Sequence, residues 1–188
     1  MLPDEPVPVR LMNTIWAETS GVHDDLRSPA DLDAWLDAVG IDRLGTQATP
    51  EELAMTRALR DAARRLVAYV TGDSRQAAAS ATTDVHEALA AINAAVRELP
   101  TRQLELRDGR LEPAARAPGS RVVAGIAGVA DSAVDLFTGG AAGRLRACYA
   151  PGCVLYFVMT HPRREWCSVA CGNRARAARH YEKIRSAR

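Results

Sequence analysis

Residues 148–171 read CYAPGCVLYFVMTHPRREWCSVAC and hold all four cysteines of this 188-residue chain. The cysteines form two close pairs separated by thirteen residues, a spacing typical of a structural zinc site. Four thiolates fill the tetrahedral shell that Zn²⁺ prefers, at about 2.3 Å from each sulfur. The pattern therefore predicts one structural zinc ion bound by Cys148, Cys153, Cys167 and Cys171.

The residues around the cysteines predict a small folded module. Pro151-Gly152 allows a tight turn inside the first pair, and residues 154–159 are apolar enough to form a strand that leaves it. Cys167 and Cys171 are four apart, so they share one face at the start of a helix, where thiolates are favoured. We expect a zinc knuckle, a short hairpin and a basic helix, with zinc supplying on the order of 10 kcal/mol of folding free energy.

The alternatives are two disulfides, four unrelated thiols, or a catalytic zinc in which His161 replaces one cysteine. The first residues contain three prolines and no apolar run, so no secretion signal is evident. No stretch reaches the roughly 18 apolar residues that span a bilayer. We expect a cytoplasmic protein without a membrane partner, in a reducing compartment where clustered cysteines favour a metal site.

Charge is distributed unevenly along the chain. Residues 143–188 contain ten arginines and lysines against two glutamates, a net charge of +8, whereas the preceding residues carry −7. Such a split indicates a local polyanionic partner such as nucleic acid. Attraction between the two parts of the chain is the alternative.

The cations of the C-terminal tail recur at helical spacing. A helix after Gly172 brings them along one side, where they can neutralise phosphates. Asn and Arg near its start could contact base edges in the major groove. The alternatives are solvated charges, a bracing role for the asparagine in the zinc loops, and pairing of the first arginine with a carboxylate. The DNA-binding candidates are Asn173, Arg174, Arg176, Arg179 and Lys183.

The N-terminal part contains clear helix starts. Ser28-Pro29 and Thr49-Pro50 each place a capping side chain before a proline at the first helical position. Glu52 completes a capping box with Thr49. Further helices are predicted over residues 74–99 and over about 120–137.

The sequence LELRDGRL at 104–111 alternates around Asp-Gly and predicts a β-hairpin. Residues 9–18 suit either a strand or a short helix, and residues 21–27 suit a polar turn. The predicted fold class is mainly α (α+β). A helical N-terminal domain with one β-hairpin spans residues 1–140, and a small zinc finger spans residues 141–188.

The N-terminal domain is large enough to hold a small-molecule pocket. Trp35 and Arg64 are further candidates for its lining. Trp35 lies on an apolar stripe that suits the core, and the arginines could be solvated or ion-paired. The chain has no phosphate loop, nucleophile elbow or His-Glu-x-x-His motif. The ligand-binding candidates are Asn13, Thr14, His23, Asp24, Arg57 and Arg60.

The second cysteine pair ends in the motif Cys171-Gly172-Asn173-Arg174, which runs into the basic tail. With the first pair and Phe157, this pattern resembles the CGNR zinc finger, although many members space the second pair as Cys-x4-Cys. The N-terminal part resembles the ABATE domain that usually precedes this finger. The matching features are Asn13-Thr14, residues 24–26, residues 32–36, the helix at 49–70 and the hairpin at 104–111.

The resemblance implies a bacterial, stress-linked transcription regulator. DNA is then the expected partner of the basic helix, and the N-terminal domain senses a small-molecule effector or mediates association into a homodimer. An enzyme or small-molecule-binding protein with a purely structural zinc is the main alternative, and a protein–protein adaptor is another.

Overall fold

The computed structural model describes residues 2–18 and 20–186. Over this range the chain forms six α-helices, three two-stranded antiparallel sheets and two short 3₁₀ turns. This composition confirms the predicted mainly α (α+β) class.

The chain begins with helix α1 (Val7–Met12), followed by strands β1 (Ile15–Glu18) and β2 (Gly21–Asp24) and helix α2 (Pro29–Ala38). The predicted polar turn at 21–27 was therefore wrong in its first half, which forms β2. The Trp16 ring stacks on the His23 ring across the two strands, with ring centres 4.4 Å apart. Such cross-strand pairs stabilise a hairpin that polar composition does not indicate.

Helix α3 (Pro50–Thr71) is the longest helix and the centre of the fold. Thr49 and Glu52 form the predicted capping box, and Gly72 ends the helix in the left-handed conformation with φ of 65°. The N-terminus of α2 is capped in the same way by Ser28 and Asp31.

Helix α4 (Val85–Val96) is shorter than the predicted helical stretch at 74–99. Residues 76–78 form a 3₁₀ turn instead, because hydrogen bonds to helix α3 hold this segment in another conformation. The Arg64 guanidinium donates to the carbonyl of Ala78, and the Ser80 hydroxyl donates to the carbonyl of Asp61. Asp84 then caps the true start of α4.

The predicted hairpin is present as strands β3 (Thr101–Arg107) and β4 (Arg110–Arg116). Asp108 and Gly109 have φ of 49° and 76°, which matches the two-residue turn that Asp-Gly favours. Helix α5 (Arg121–Thr138) follows, and Ser120 caps it.

The main core lies where α3 packs against the other helices of the N-terminal part. Trp35 is buried in this core, as its place on an apolar stripe predicted. The largest members of the cluster come from α1, α2, α3, α4 and α5: Leu11, Leu32, Trp35, Leu36, Leu59, Ile92 and Ile126.

The C-terminal part contains strands β5 (Leu145–Ala147) and β6 (Tyr156–Val158) and helix α6 (Val169–Ser186). One face of the β5–β6 hairpin packs onto α1, α3 and α5, so the two parts share a second core. Its members are Val9, Met12, Ala63, Val67, Leu136, Leu145, Ala147, Tyr156 and Val158. Across residues 2–18 and 20–186, no helix combines the length and apolarity needed to cross a bilayer.

Candidate metal centre and basic helix

The four cysteines come together in one buried cluster. All four Sγ atoms lie within 4.8 Å of one another. The Sγ of Cys167 is 3.8 Å from that of Cys153 and 3.4 Å from that of Cys171. Ligands about 2.3 Å from a tetrahedral zinc ion are about 3.8 Å apart, so these spacings fit the ion. The donor set and its geometry support one structural zinc ion, as predicted.

The electrostatics of the cluster favour a bound cation. Hydrogen bonds from Cys153 and Cys167 lower the pKa of the Cys148 thiol to about 2. The hydrogen bond to Cys148 raises the pKa of Cys153 to about 12 and also raises that of Cys167, and burial adds to both effects. Without a metal, one thiolate therefore suppresses ionisation of its neighbours. A divalent ion removes this conflict because every ligand can then be a thiolate.

The start of α6 is built around the last cysteine. The Arg174 guanidinium donates from Nη2 to the Sγ of Cys171 at 3.1 Å, so this arginine points toward the metal centre. Gly172 lies against the Trp166 indole, and a Cβ atom at this position would be 3.1 Å from the ring. A larger residue would push Trp166 away from the cluster it covers.

Arg75 clamps the first cysteine turn from the N-terminal part. Its Nη1 donates to the carbonyls of Cys148 and Cys153 at 2.7 and 2.6 Å. Asp73 holds the guanidinium through Nε and Nη2, both at 2.8 Å, and also accepts from the Tyr156 hydroxyl at 3.1 Å. Burial raises the pKa of Asp73, but the Arg75 hydrogen bonds and charge outweigh it and hold that pKa below its usual value.

Two polar side chains of the first thirteen residues pair with strand β6. The Asn13 amide donates to the carbonyl of Tyr156 at 2.9 Å and accepts from its N–H at 3.0 Å, as a neighbouring strand would. Glu5 accepts from the N–H of Val158 at 2.8 Å and from Arg164 at 2.6 Å. Arg164 also donates to the carbonyl of Cys167. The N-terminus is therefore tied directly to the metal-binding module.

Arg64 is the largest fully buried side chain of the described residues. Its Nη1 donates to the carbonyl of Met12 at 2.9 Å, and its Nη2 donates to those of Ala78 and Val154. Burial lowers its pKa from the ordinary arginine value, although the group stays charged. This side chain joins α1, the 3₁₀ turn and the zinc module, so it is structural rather than part of a surface pocket.

Three of the ligand-binding candidates form one network. Arg60 Nη1 donates to Asp24 at 2.6 Å and lies 3.4 Å from the Thr14 hydroxyl, which itself donates to the carbonyl of Leu11. Arg57 donates to the carbonyl of Leu26 nearby. The structure thus brings Thr14, Asp24 and Arg60 together, and their polar atoms already have partners within the protein.

The remaining candidates line different surfaces. His23 lies at the surface beside Glu18, Ser20 and the Trp16 ring. An open groove of about 370 Å³ separates this hairpin from the zinc module, and Asn13 contributes to its wall. Its lining residues are Leu2, Asn13, Trp16, Asp25 and Leu155.

The cations of α6 are exposed together. Arg176, Arg179 and Lys183 follow one another at helical spacing on the solvent side, and the Asn173 carboxamide accepts a short hydrogen bond from Arg176. Among the described residues after Gly172, Ala175 alone is buried. Most of the helix thus projects from the body of the protein, with Tyr181 and Ile184 exposed as well.

The residues that sequence reasoning missed are Glu5, Asp73, Arg75 and Arg164. Glu5, Arg75 and Arg164 bind backbone atoms that are distant in the chain or belong to cysteines, and Asp73 holds the Arg75 guanidinium. A short Asp-x-Arg motif after the helix-ending Gly72 was the one local signal available for the Arg75 clamp.

Two family models match successive parts of the chain. A family model described as ABATE, "Putative stress-induced transcription regulator", matches residues 5–140. A model of the CGNR zinc finger matches residues 144–183. No curated protein matches the chain at a significant level.

Proposed function

The chain belongs to the ABATE family and carries a C-terminal CGNR zinc finger, and from this premise we propose that it is a DNA-binding transcription regulator. In this proposal residues 141–188 form the DNA-binding unit, and residues 1–140 form a domain that senses a small molecule. The observation that carries the proposal is the exposed basic side of α6, held in place by the zinc centre.

The charge of α6 suits a phosphate backbone. The helix contains five arginines and lysines and one glutamate, and its basic side is not packed against the acidic N-terminal part. Because Arg176, Arg179 and Lys183 lie on one side over about two turns, they can contact successive phosphates of one groove. Arg174 differs from these three because it donates to Cys171. We therefore propose that its main role is to stabilise the metal centre and that any contact with DNA is secondary.

The input to the regulator is proposed to act through the N-terminal part. The groove beside Trp16 and Asp25 lies between this part and Leu155 of the zinc module. A small molecule bound there would contact both parts at once, which is what an effector needs in order to change the position of the finger. Arg60 of α3 binds Asp24 of β2 and lies close to Thr14, which precedes β1, so this network holds the hairpin beside the groove. We place the protein in the cytoplasm, where free thiols remain available for zinc.

DNA binding is tested by fluorescence anisotropy with genomic fragments that include the gene's own promoter, over a range of salt concentrations. If three cations each neutralise one phosphate, log K falls against log salt with a slope of about −2.7. Affinity then drops about 40-fold between 50 and 200 mM salt. Each of Arg176→Ala, Arg179→Ala and Lys183→Ala should reduce the slope by about 0.9.

Arg97→Ala is the matched control, because this exposed arginine at the end of α4 lies outside the zinc finger. Its slope and affinity should equal those of the wild type. Absence of binding at low salt on all fragments, or equal slopes for the α6 variants and the control, would overturn the proposal. That result would favour the alternative, an enzyme or small-molecule-binding protein with a structural zinc.

A further inference from the structure

The β3–β4 hairpin stands away from the rest of the protein. Every residue of both strands is exposed except Ala114, which is half-buried. A two-stranded hairpin on its own is marginally stable in water, and a third strand or a helix is needed to support it. The hairpin therefore has the properties of a surface that is completed by a partner.

One face of the hairpin is apolar. Leu104, Leu106 and Leu111 are 68%, 70% and 69% exposed. They lie on the same side because Leu106 is opposite Leu111 and Leu104 is opposite Pro113. The other face carries Gln103, Glu105, Arg107, Arg110 and Glu112.

The two edges of the hairpin differ in their ability to pair. The two-residue turn closes on the Arg107–Arg110 pair, so the even-numbered residues of β3 direct their N–H and C=O groups outward. On β4, Pro113 occupies one of the outward positions and has no N–H to offer. Because proline protects an edge from pairing, β3 is the edge that is left open.

We propose that a second copy of this chain pairs its β3 with β3 in antiparallel orientation about a twofold axis, forming a four-stranded sheet. In the register centred on Leu104, the strand pairs over its full length, with Leu104 opposite the partner subunit's Leu104. Arg102 then lies opposite the partner subunit's Leu106, where its aliphatic stem covers the leucine. Each subunit contributes the same patch, as a twofold interface requires.

Polar complementarity favours a second copy as the occupant. In this register Glu105 lies opposite the partner subunit's Gln103, whose amide can donate to the carboxylate. A shift of the axis to Glu105 would place two glutamates directly opposite each other, which is unfavourable. The strand is thus complementary to itself in the register centred on Leu104.

Sedimentation of the zinc-loaded full-length protein without DNA tests the proposal, over a range from low micromolar to the highest soluble concentration. The wild type should reach twice the 20.2 kDa monomer mass. Leu104→Lys places two like charges at the axis and should give a monomer at all concentrations. Gln103→Lys, on the opposite face of the same strand, lies near the partner subunit's Glu105 and should remain dimeric.

Hydrogen exchange identifies the edge that pairs, and this measurement on the wild type does not depend on the folding of any variant. In the wild-type dimer the outward N–H of Leu104 should exchange at least tenfold more slowly than that of Leu111. A monomeric wild type, a dimeric Leu104→Lys variant, or protection of Leu111 instead of Leu104 would each overturn the proposal. Because these measurements need no DNA, their failure is distinct from failure of the proposed regulatory function.

Discussion

Substitution of Asn13 tests directly how the N-terminal part holds the zinc module. The Asn13 side chain is 4% exposed and makes both of its hydrogen bonds to the backbone of Tyr156, which is fully buried. Asn13→Ala leaves a buried N–H and a buried C=O without partners, at about 1–3 kcal/mol each. We expect the free energy of unfolding to fall by about 2–6 kcal/mol, a large share of the 5–15 kcal/mol typical of a domain.

The assay is urea denaturation of the zinc-loaded protein, followed by circular dichroism. With an m value of about 2–3 kcal/mol/M, the midpoint should fall by about 1–3 M. Asn93→Ala, at an exposed position of α4, is the matched control and should change the free energy of unfolding by less than about 0.5 kcal/mol. A loss below about 1 kcal/mol for Asn13→Ala would refute the assignment of this side chain as the strand partner of β6.

Asn13→Asp provides a sharper version of the same test. The new carboxylate can still accept from the N–H of Tyr156, but it faces the carbonyl oxygen without a proton to donate. Burial raises the pKa of such a group, and its neutral form can donate again. The destabilisation relative to wild type should therefore shrink as pH falls, whereas that of Asn13→Ala should stay constant.

Three further outcomes follow from the structure. Asp73 has a lowered pKa in the folded state, so its ion pair with Arg75 stabilises the protein above the pKa of the unfolded state. This stabilisation is lost as pH falls through the pKa of the folded state. Asp73→Asn should remove this dependence when the free energy of unfolding is measured against pH in the acid range. Gly125→Ala places a Cβ atom 2.5 Å from Cγ2 of Ile41 and should cost about 1–3 kcal/mol in urea denaturation, with no loss of zinc by metal analysis. Removal of zinc with a chelator should make all four thiols react with Ellman's reagent and unfold the finger, whereas thiols that stayed unreactive in the metal-free protein would contradict a zinc-dependent fold.

The parts of the fold that sequence predicted are those with a local cause. The zinc ligands lie in two tight pairs, and the helix starts at Ser28 and Thr49 combine a cap, a proline and an acidic residue within four positions. The Asp-Gly turn likewise sets the β3–β4 hairpin by its own backbone preference. In each case the physical interaction that defines the structure spans only a few residues.

The parts that sequence did not predict depend on contacts between distant residues. The stretch at 74–84 is Ala-rich and suited to helix, but Arg64 and Arg65 donate to its backbone carbonyls and hold it in another conformation. The β1–β2 hairpin depends on a Trp16–His23 pair rather than on a turn motif. The ligand-binding candidates share polar side chains, and in the structure several of these bind the protein's own backbone or each other.

The pairing of Glu5 and Asn13 with β6 also governs how the chain can fold during synthesis. These side chains emerge from the ribosome well before their partners, which lie 153 and 143 residues later in the chain. Until the finger has been made, α1 has neither its polar partners nor the apolar cover of Tyr156 and Val158. Contacts of such high sequence separation form slowly, so α1 is expected to become fully native only after the much later finger has been made.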